Sequence, residues 1–278
     1  MVSSIGKAKP GRGQSERTNK HAYSVPALIN KIIYEGDIIL EILDARFIEK
    51  TRNTEIEKLV KNLGKKLIYI LNKSDLVDIR QVKTNVEIEN LKPHLFFSNK
   101  DRKSASILKR MIKIEAHKLG KDAVNFGVIG YPNSGKSSLI NLLIGRKVAR
   151  TSSEAGYTKG LQKVKITKGI YLIDTPGIIP AYEKAKTNRE LVAKHSQIGA
   201  VTWDKASNPD MIVFRIMREY PNVIEKHYGI NTNGNSEELI EILGKRLHYL
   251  VKGGEVDEMR TAKHILRDWQ EGKIRVNG

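Results

Sequence analysis

The chain of 278 residues contains no cysteine, which excludes disulfides and thiolate-bound zinc. Long apolar runs are missing too. No stretch reaches the roughly eighteen residues that a membrane-spanning helix needs, so no membrane span is expected. Residues 1–20 are basic and polar and lack the apolar segment of a secretory signal. These absences suit a cytoplasmic protein. Acidic residues are in short supply, 31 Asp and Glu against 49 Lys and Arg, for a net charge of +18. So one-sided an excess predicts a polyanionic partner, with nucleic acid the leading candidate.

What is present is organised around residues 130–138, Gly-Tyr-Pro-Asn-Ser-Gly-Lys-Ser-Ser. An apolar segment of strand length, 124–130, precedes it, and a short helical pattern, 138–144, follows and stops at Gly145. Strand, glycine loop and helix make a phosphate-binding loop. Its glycines let backbone N–H groups close around an anion, and the helix N-terminus adds partial positive charge. Asn133, Ser134, Gly135, Lys136, Ser137 and Ser138 are the candidate phosphate contacts. Lys136 reaches the β and γ phosphates, and the Ser137 hydroxyl ligates Mg²⁺. The alternative is a tight glycine turn that holds no ligand.

Upstream, 37–44 and 66–71 read as buried strands, with helices over 26–35 and 54–63. The second strand delivers Asn72-Lys73-Ser74-Asp75. An acceptor-only carboxylate at Asp75 matches the N1–H and exocyclic amine of guanine, a donor pair that adenine lacks. The Lys73 stem can lie over the base, and Asn72 can tie this loop to the phosphate loop. The alternative is a charged turn after a strand. A third strand, 91–97, leads into Ser98-Asn99, where a backbone N–H can meet guanine O6. A long helix over 105–119 follows, with Ile107, Leu108, Met111, Ile112 and Ile114 expected as its core stripe.

Downstream, residues 146–162 are rich in Gly, Ser and Thr and carry Thr158, a candidate Mg²⁺ ligand. A hairpin over 164–173 ends in Asp174-Thr-Pro-Gly177. Asp174 would hold Mg²⁺ through water, and the Gly177 N–H would meet the γ-phosphate. Three units are expected: a flexible basic arm over 1–20, a GTPase domain over 21–180, and a helical unit over 181–278. In the last helix, about 256–269, Arg260, Lys263, His264 and Arg267 share a face. That stripe reads as an RNA-docking face or a solvated basic one.

Every part of a small GTPase is present in rotated order. The guanine-reading strand precedes the phosphate loop, and Asp174–Gly177 comes last. The stretch Leu43-Asp44-Ala45-Arg46, Asn72–Asp75, the phosphate loop and Asp174–Gly177 together resemble the circularly permuted GTPases of the YlqF/YawG family. The resemblance implies an α/β P-loop fold, a permuted Ras-like domain with a mainly parallel sheet flanked by helices, then a small helical domain. It implies GTP/GDP and Mg²⁺ as ligands and a role in large ribosomal subunit assembly through rRNA, as a monomer. It also implies slow turnover, because Ile178 stands where Ras-like enzymes place a water-orienting Gln. Lys136, Thr158, Gly177 and His21 are then the candidate catalytic residues, and Asn133 resembles the K⁺-binding Asn of potassium-stimulated GTPases, the alternative being an ordinary loop-stabilising Asn. In this order the second switch, after Gly177, runs directly into residues 181–278 and is expected to pass the nucleotide state to them. A nucleotide-gated RNA-binding scaffold with negligible catalysis is the rival reading. A metabolic kinase is disfavoured by Asn72–Asp75.

Overall fold

The computed structural model describes residues 25–84, 86–145, 162–174 and 189–276. His21, Thr158 and Gly177 lie outside them. Six strands form one sheet: β1 (Ile38–Asp44), β2 (Lys66–Asn72), β3 (His94–Phe96), β4 (Val124–Gly130), β5 (Gln162–Thr167) and β6 (Ile170–Asp174), in the spatial order β3-β2-β1-β4-β6-β5. All neighbours are parallel except the β5–β6 hairpin. The β-branched and leucine runs of β1, β2 and β4 suit strands buried on both faces.

Alternation sorts their side chains. Ile38, Leu40, Ile42, Ile68, Ile70, Phe126 and Val128 face one layer, filled by α6 (Arg102–Lys118) and α7 (Lys136–Ile144). Ile39, Ile129 and Ile173 face the other, against Ile32 and Ile33 of α1 (Val25–Glu35) and Ile56 and Val60 of α3 (Thr54–Asn62). Between β1 and α3 lies a single helical turn, α2 (Ile48–Thr51), and two more short helices, α4 (Ile79–Lys83) and α5 (Val86–Glu89), precede β3.

The register aligns the strand ends that matter. Asp44 pairs with Asn72, Ile42 with Gly130, and Val128 with Asp174. Asn72, Asp44, Gly130 and Asp174 therefore end their strands along one edge of the sheet. In parallel α/β sheets that carboxyl edge is where ligands bind.

Residues 189–276 are helical: α8 (Arg189–Gln197), α9 (Pro209–Glu219), α10 (Val223–Tyr228), α11 (Ser236–Arg246) and α12 (Glu258–Glu271). Asn235 caps α11 by accepting from the N–H groups of Glu237 and Glu238, and Asp257 caps α12 from Arg260. Their core surrounds the fully buried Trp269 and takes in Phe47 and Tyr131 from the sheet-bearing part.

Several helical faces differ from expectation. In α6 the buried stripe is Ala105, Leu108, Ile112 and Ala116, while Ile107 and Ile114 point to solvent. At 100° per residue those two isoleucines share a face opposite Leu108 and Ile112, so they cannot join the same core. In α9 the apolar run at 211–217 is likewise divided: Ile212, Val213, Ile216 and Met217 are buried, and Met211 and Phe214 face solvent. The strand expected over 91–97 shrinks to three residues. Pro93, which has no N–H to give a ladder, stands just before that strand.

The basic stripe on α12 is largely spent inside the molecule. Lys263 donates to Asp204 O at 3.0 Å, and Arg260 and Arg267 lie over the rings of Tyr249 and Trp203. His264 faces Asp268 at 3.2 Å, and burial, with Arg267 and Lys273 nearby, outweighs Asp268 and holds its pKa below the usual histidine value.

Candidate nucleotide-binding site

The phosphate loop leaves β4 at Gly130 (φ 151°) and enters α7 through Gly135 (φ 98°), with Asn133 left-handed between them (φ 58°). Side chains pay a steric cost for such angles, which is why glycine stands at two of the three. Contact explains the glycines as well. A Cβ on Gly130 would stand 2.6 Å from Ile42 O, and one on Gly135 would stand 2.1 Å from Asn72 Nδ2. The loop is a close-fitted cradle, not a slack turn.

Asn72 closes the cradle by donating from Nδ2 to Ser134 O at 2.7 Å. The end of β2 thus touches the loop after β4. Asn99 approaches the same spot, its Nδ2 lying 3.3 Å from where a Gly135 Cβ would be. Asn72 Oδ1, Asn99 Oδ1 and Ser134 Oγ are buried and have no hydrogen-bond partner among the described residues. Each such orphan costs about 1–3 kcal/mol, so three around one loop mark a place built for further polar company. Lys136 is buried and its ammonium donates to Gly130 O at 3.0 Å and Tyr131 O at 2.7 Å. A cation held against loop carbonyls at a helix N-terminus fits an incoming phosphate.

The residues of the Asn72–Asp75 turn are fixed individually. Lys73 is left-handed (φ 60°). Asp75 accepts from Ser98 Oγ at 2.7 Å and from Lys100 at 3.0 Å. Burial raises its pKa, but these bonds and the Lys100 charge more than offset that and leave it below the ordinary aspartate value. It is therefore an ionised, acceptor-only group at neutral pH, as a guanine reader must be.

Two residues were legible only as a motif, and their geometry adds a role. Asp44, buried at the end of β1, accepts from Arg46 N, Nε and Nη2 and from Lys73 Nζ at 2.7 Å. Burial pushes its pKa up, but Lys73 and Arg46 dominate and hold it far below the usual carboxylate range. Arg46 then donates through Nη1 to Trp269 O at 2.8 Å, at the end of α12. Asp44 so anchors Lys73 of the Asn72–Asp75 turn and, through Arg46, ties that turn to the helical part. On the phosphate side, Asn133 donates from Nδ2 to Gly199 O at 2.7 Å, and Tyr131 is buried against His195, with ring centroids 6.4 Å apart.

For Mg²⁺, the donor chemistry suits a hard cation. Ser137 opens α7 with a hydroxyl, and the backbone of Asp174 ends β6, the neighbour of β4. A cation carried mostly by phosphate oxygens and water needs few protein ligands. No cluster of three or more acidic, His or Cys side chains able to hold a metal occurs among the described residues. Thr158 and His21 lie outside those residues, as does Gly177.

Comparison with known proteins agrees with this geometry. The sequence profile of the 50S ribosome-binding GTPase family matches residues 125–246. It begins at the strand before the phosphate loop, so the Asn72–Asp75 turn falls upstream of it. The chain is 43% identical to a GTP-binding protein of Methanocaldococcus jannaschii, over 90% of this chain and 66% of that one. It is 32% identical to nucleolar GTP-binding protein 2 of Saccharomyces cerevisiae, over 95% of this chain and 53% of that one. The chain thus spans between about half and two thirds of the length of these relatives. Among solved structures, GDP-bound YlqF superposes with a TM-score of 0.61 at 23% identity, covering 88% of this chain and 94% of that one. GNP-bound YlqF from T. maritima gives a TM-score of 0.60 at 23% identity, covering 89% and 94%. With its strand order, its phosphate loop and its reversed motif order, the chain belongs with the circularly permuted GTP-binding proteins and shares the fold of the YlqF structures.

Proposed function

We propose that the chain binds GTP at the carboxyl edge of the sheet, hydrolyses it to GDP and phosphate, and uses the nucleotide state to gate binding to rRNA during large ribosomal subunit assembly. The observation that carries this reading is the Asn72–Ser134 hydrogen bond, which joins two motifs that lie 62 residues apart in reversed order. A base reader and a phosphate cradle in contact can hold opposite ends of one nucleotide. In this reading Asp75 recognises guanine while Lys73 covers the base, and the backbone at Ser98 and Asn99 meets O6. Lys136 and the N–H groups of residues 133–138 hold phosphates; Ser137, Thr158 and Asp174 serve Mg²⁺; Gly177 meets the γ-phosphate. Mg²⁺ supplies charge neutralisation for the phosphates when bound. Asn133 is the candidate K⁺ ligand through Oδ1, and His21 a candidate catalytic residue. Residues 21–180 then form the GTPase domain and 181–278 the docking domain of a cytoplasmic monomer. The family description, 50S ribosome-binding GTPase, and the excess of 49 cationic over 31 acidic residues support the ribosomal half.

Calorimetry with GDP and ADP tests the nucleotide half. GDP bound far more tightly than ADP is expected, and equal affinity overturns the reading. Ile178, which cannot orient water, favours a second reading as a gated scaffold with negligible catalysis. Single-turnover GTP hydrolysis with and without large ribosomal subunits separates the two, and KCl against NaCl in the same assay tests the K⁺ role.

A further inference from the structure

The outer face of α6 combines charge and apolar surface in a way the nucleotide site does not use. The helix carries Arg102, Lys103, Lys109, Arg110, Lys113 and Lys118 against one carboxylate, Glu115. Glu115 is taken by Lys118 at 2.8 Å and by Lys66 at 2.5 Å. Asp101, the cap, accepts from the N–H groups of Lys103 and Ser104 and from Ser104 Oγ. The other five cations have no carboxylate within ion-pair distance among the described residues. Lys103, Arg110 and Lys113 are exposed on the side away from the core, and His117 follows them one turn on.

Ile107, 53% exposed, and Ile114, 45% exposed, flank Lys103 and Arg110 along one side of this face. Two exposed isoleucines beside Lys103 and Arg110, cations with no carboxylate within ion-pair distance among the described residues, suit a polyanion that also presents apolar surface. Buried elsewhere, α6 contributes Ala105, Leu108, Ile112 and Ala116 to the core, so its orientation is fixed. The contrast with α12 is plain, since the cations there are engaged by Asp204 O, Asp268 and two aromatic rings.

We propose that α6 is an RNA-docking face that lies on the wide, shallow minor groove of an A-form helix, with Lys103, Arg110 and Lys113 on phosphates and Ile107 and Ile114 against exposed riboses. The A-form minor groove is open enough to accept a helix and displays sugar edges. A helix of 17 residues is about 25 Å long, enough to bridge the phosphates that flank such a groove. Phosphate contacts of this kind release counterions and make affinity strongly salt-dependent. This assignment rests on the RNA half of the proposed function.

The test is binding of the full chain to a short RNA duplex, by fluorescence anisotropy from about 50 to 200 mM KCl, with a DNA duplex of the same sequence and anionic vesicles alongside. The triple variant Lys103→Ala, Arg110→Ala, Lys113→Ala should flatten the log–log salt slope by about 2–3 units, near 0.9 per lost contact. The double variant Ile107→Ser, Ile114→Ser should weaken RNA binding about 10-fold and leave the slope unchanged, since it removes no charge. GDP affinity should stay at the wild-type value in both, which shows that they fold. A triple variant with the wild-type slope, while the wild type binds the duplex, overturns the α6 assignment and leaves the RNA reading standing. Equal loss of vesicle and RNA binding, or a slope that falls only when Arg260, Lys263 and Arg267 of α12 are replaced, overturns it as well. A wild-type chain that binds no RNA overturns both.

Discussion

Replacing Asp44 by Asn tests whether one buried carboxylate organises the guanine turn. Its Oδ1 accepts from Arg46 N and Nε, and its Oδ2 from Arg46 Nη2 and Lys73 Nζ. Whichever way an Asn amide is turned, its NH₂ faces donors. Two cations then lose their anion, one of them with a side chain 1% exposed. Breaking one partner of a buried pair costs about 3–5 kcal/mol. Lys73, 23% exposed, can turn towards water, so a loss of about 3 kcal/mol is expected. For a chain of this size that lowers Tm by roughly 6–12 °C.

GDP affinity should fall at least about 10-fold, or ~1.4 kcal/mol, because Lys73 no longer has its anchor beside the base. The pH dependence adds a second readout. The folded carboxyl titrates below its unfolded value of about 3.9, so its stabilisation is present above that pH and is lost as pH falls through the folded value. The gap between wild type and variant in urea should be full at pH 7 and narrow below about pH 4. Equal urea midpoints at pH 7, with equal GDP affinity, would refute the hub.

Gly135→Ala must place a Cβ 2.1 Å from Asn72 Nδ2 at φ 98°, so it should abolish detectable GDP binding in calorimetry and cost about 2 kcal/mol or more in urea. Asp75→Asn inverts the acceptor that meets the guanine N1–H, so nucleotide preference should move from GTP to xanthosine triphosphate; retained GTP preference in competition binding counts against that role. Glu41 is fully buried, and burial together with Glu57 raises its pKa well above the carboxylate norm. A raised carboxyl contributes stability that is complete below its unfolded pKa and is lost as pH rises through the folded one. Glu41→Gln keeps the acceptor for Asn53 N, at 2.8 Å in the wild type, and should match wild-type stability at pH 4 and exceed it at pH 9.

β1, β2, β4 and β6 were legible because each is a short apolar run closed by a glycine or a polar motif. The phosphate loop was legible because backbone geometry demands glycine at fixed offsets. Helical faces were harder. Isoleucine appears in α6 at 107, 112 and 114, and composition alone cannot say which side is inward; only the 100° step separates Ile112 from the other two. The Asn72–Ser134 contact was legible because both of its partners stand in recognisable motifs, but contacts that no motif announces were not. Arg46 meets Trp269 across 223 residues, and Asn133 meets Gly199 across 66, with no local pattern to announce either. Asp44 was visible as part of a motif, but its service to Lys73 depends on β1 and β2 being neighbours in register.

Those long-range contacts change where a nucleotide signal can travel. The permuted order suggests the exit after Gly177 as the route into the helical part. The structure offers two others, one at each end of the candidate site. At the phosphate end, Lys136 donates to Tyr131 O, and the buried Tyr131 ring packs with the core that holds Ile198, Ile212 and Trp269. A phosphate that draws the Lys136 ammonium towards itself removes a bond from the residue whose side chain is set in the helical core. Because such cores are close-packed, a loop shift there moves its neighbours instead of being absorbed. At the base end, Lys73, Asp44, Arg46 and Trp269 O form a continuous chain of charge-assisted bonds. Both routes lead into the helical core that holds Trp269, from the phosphate end through the Tyr131 side chain and from the base end through the Trp269 carbonyl. A helical unit held at two points, one at each end of the candidate site, is placed to respond to a whole nucleotide and not to its γ-phosphate alone.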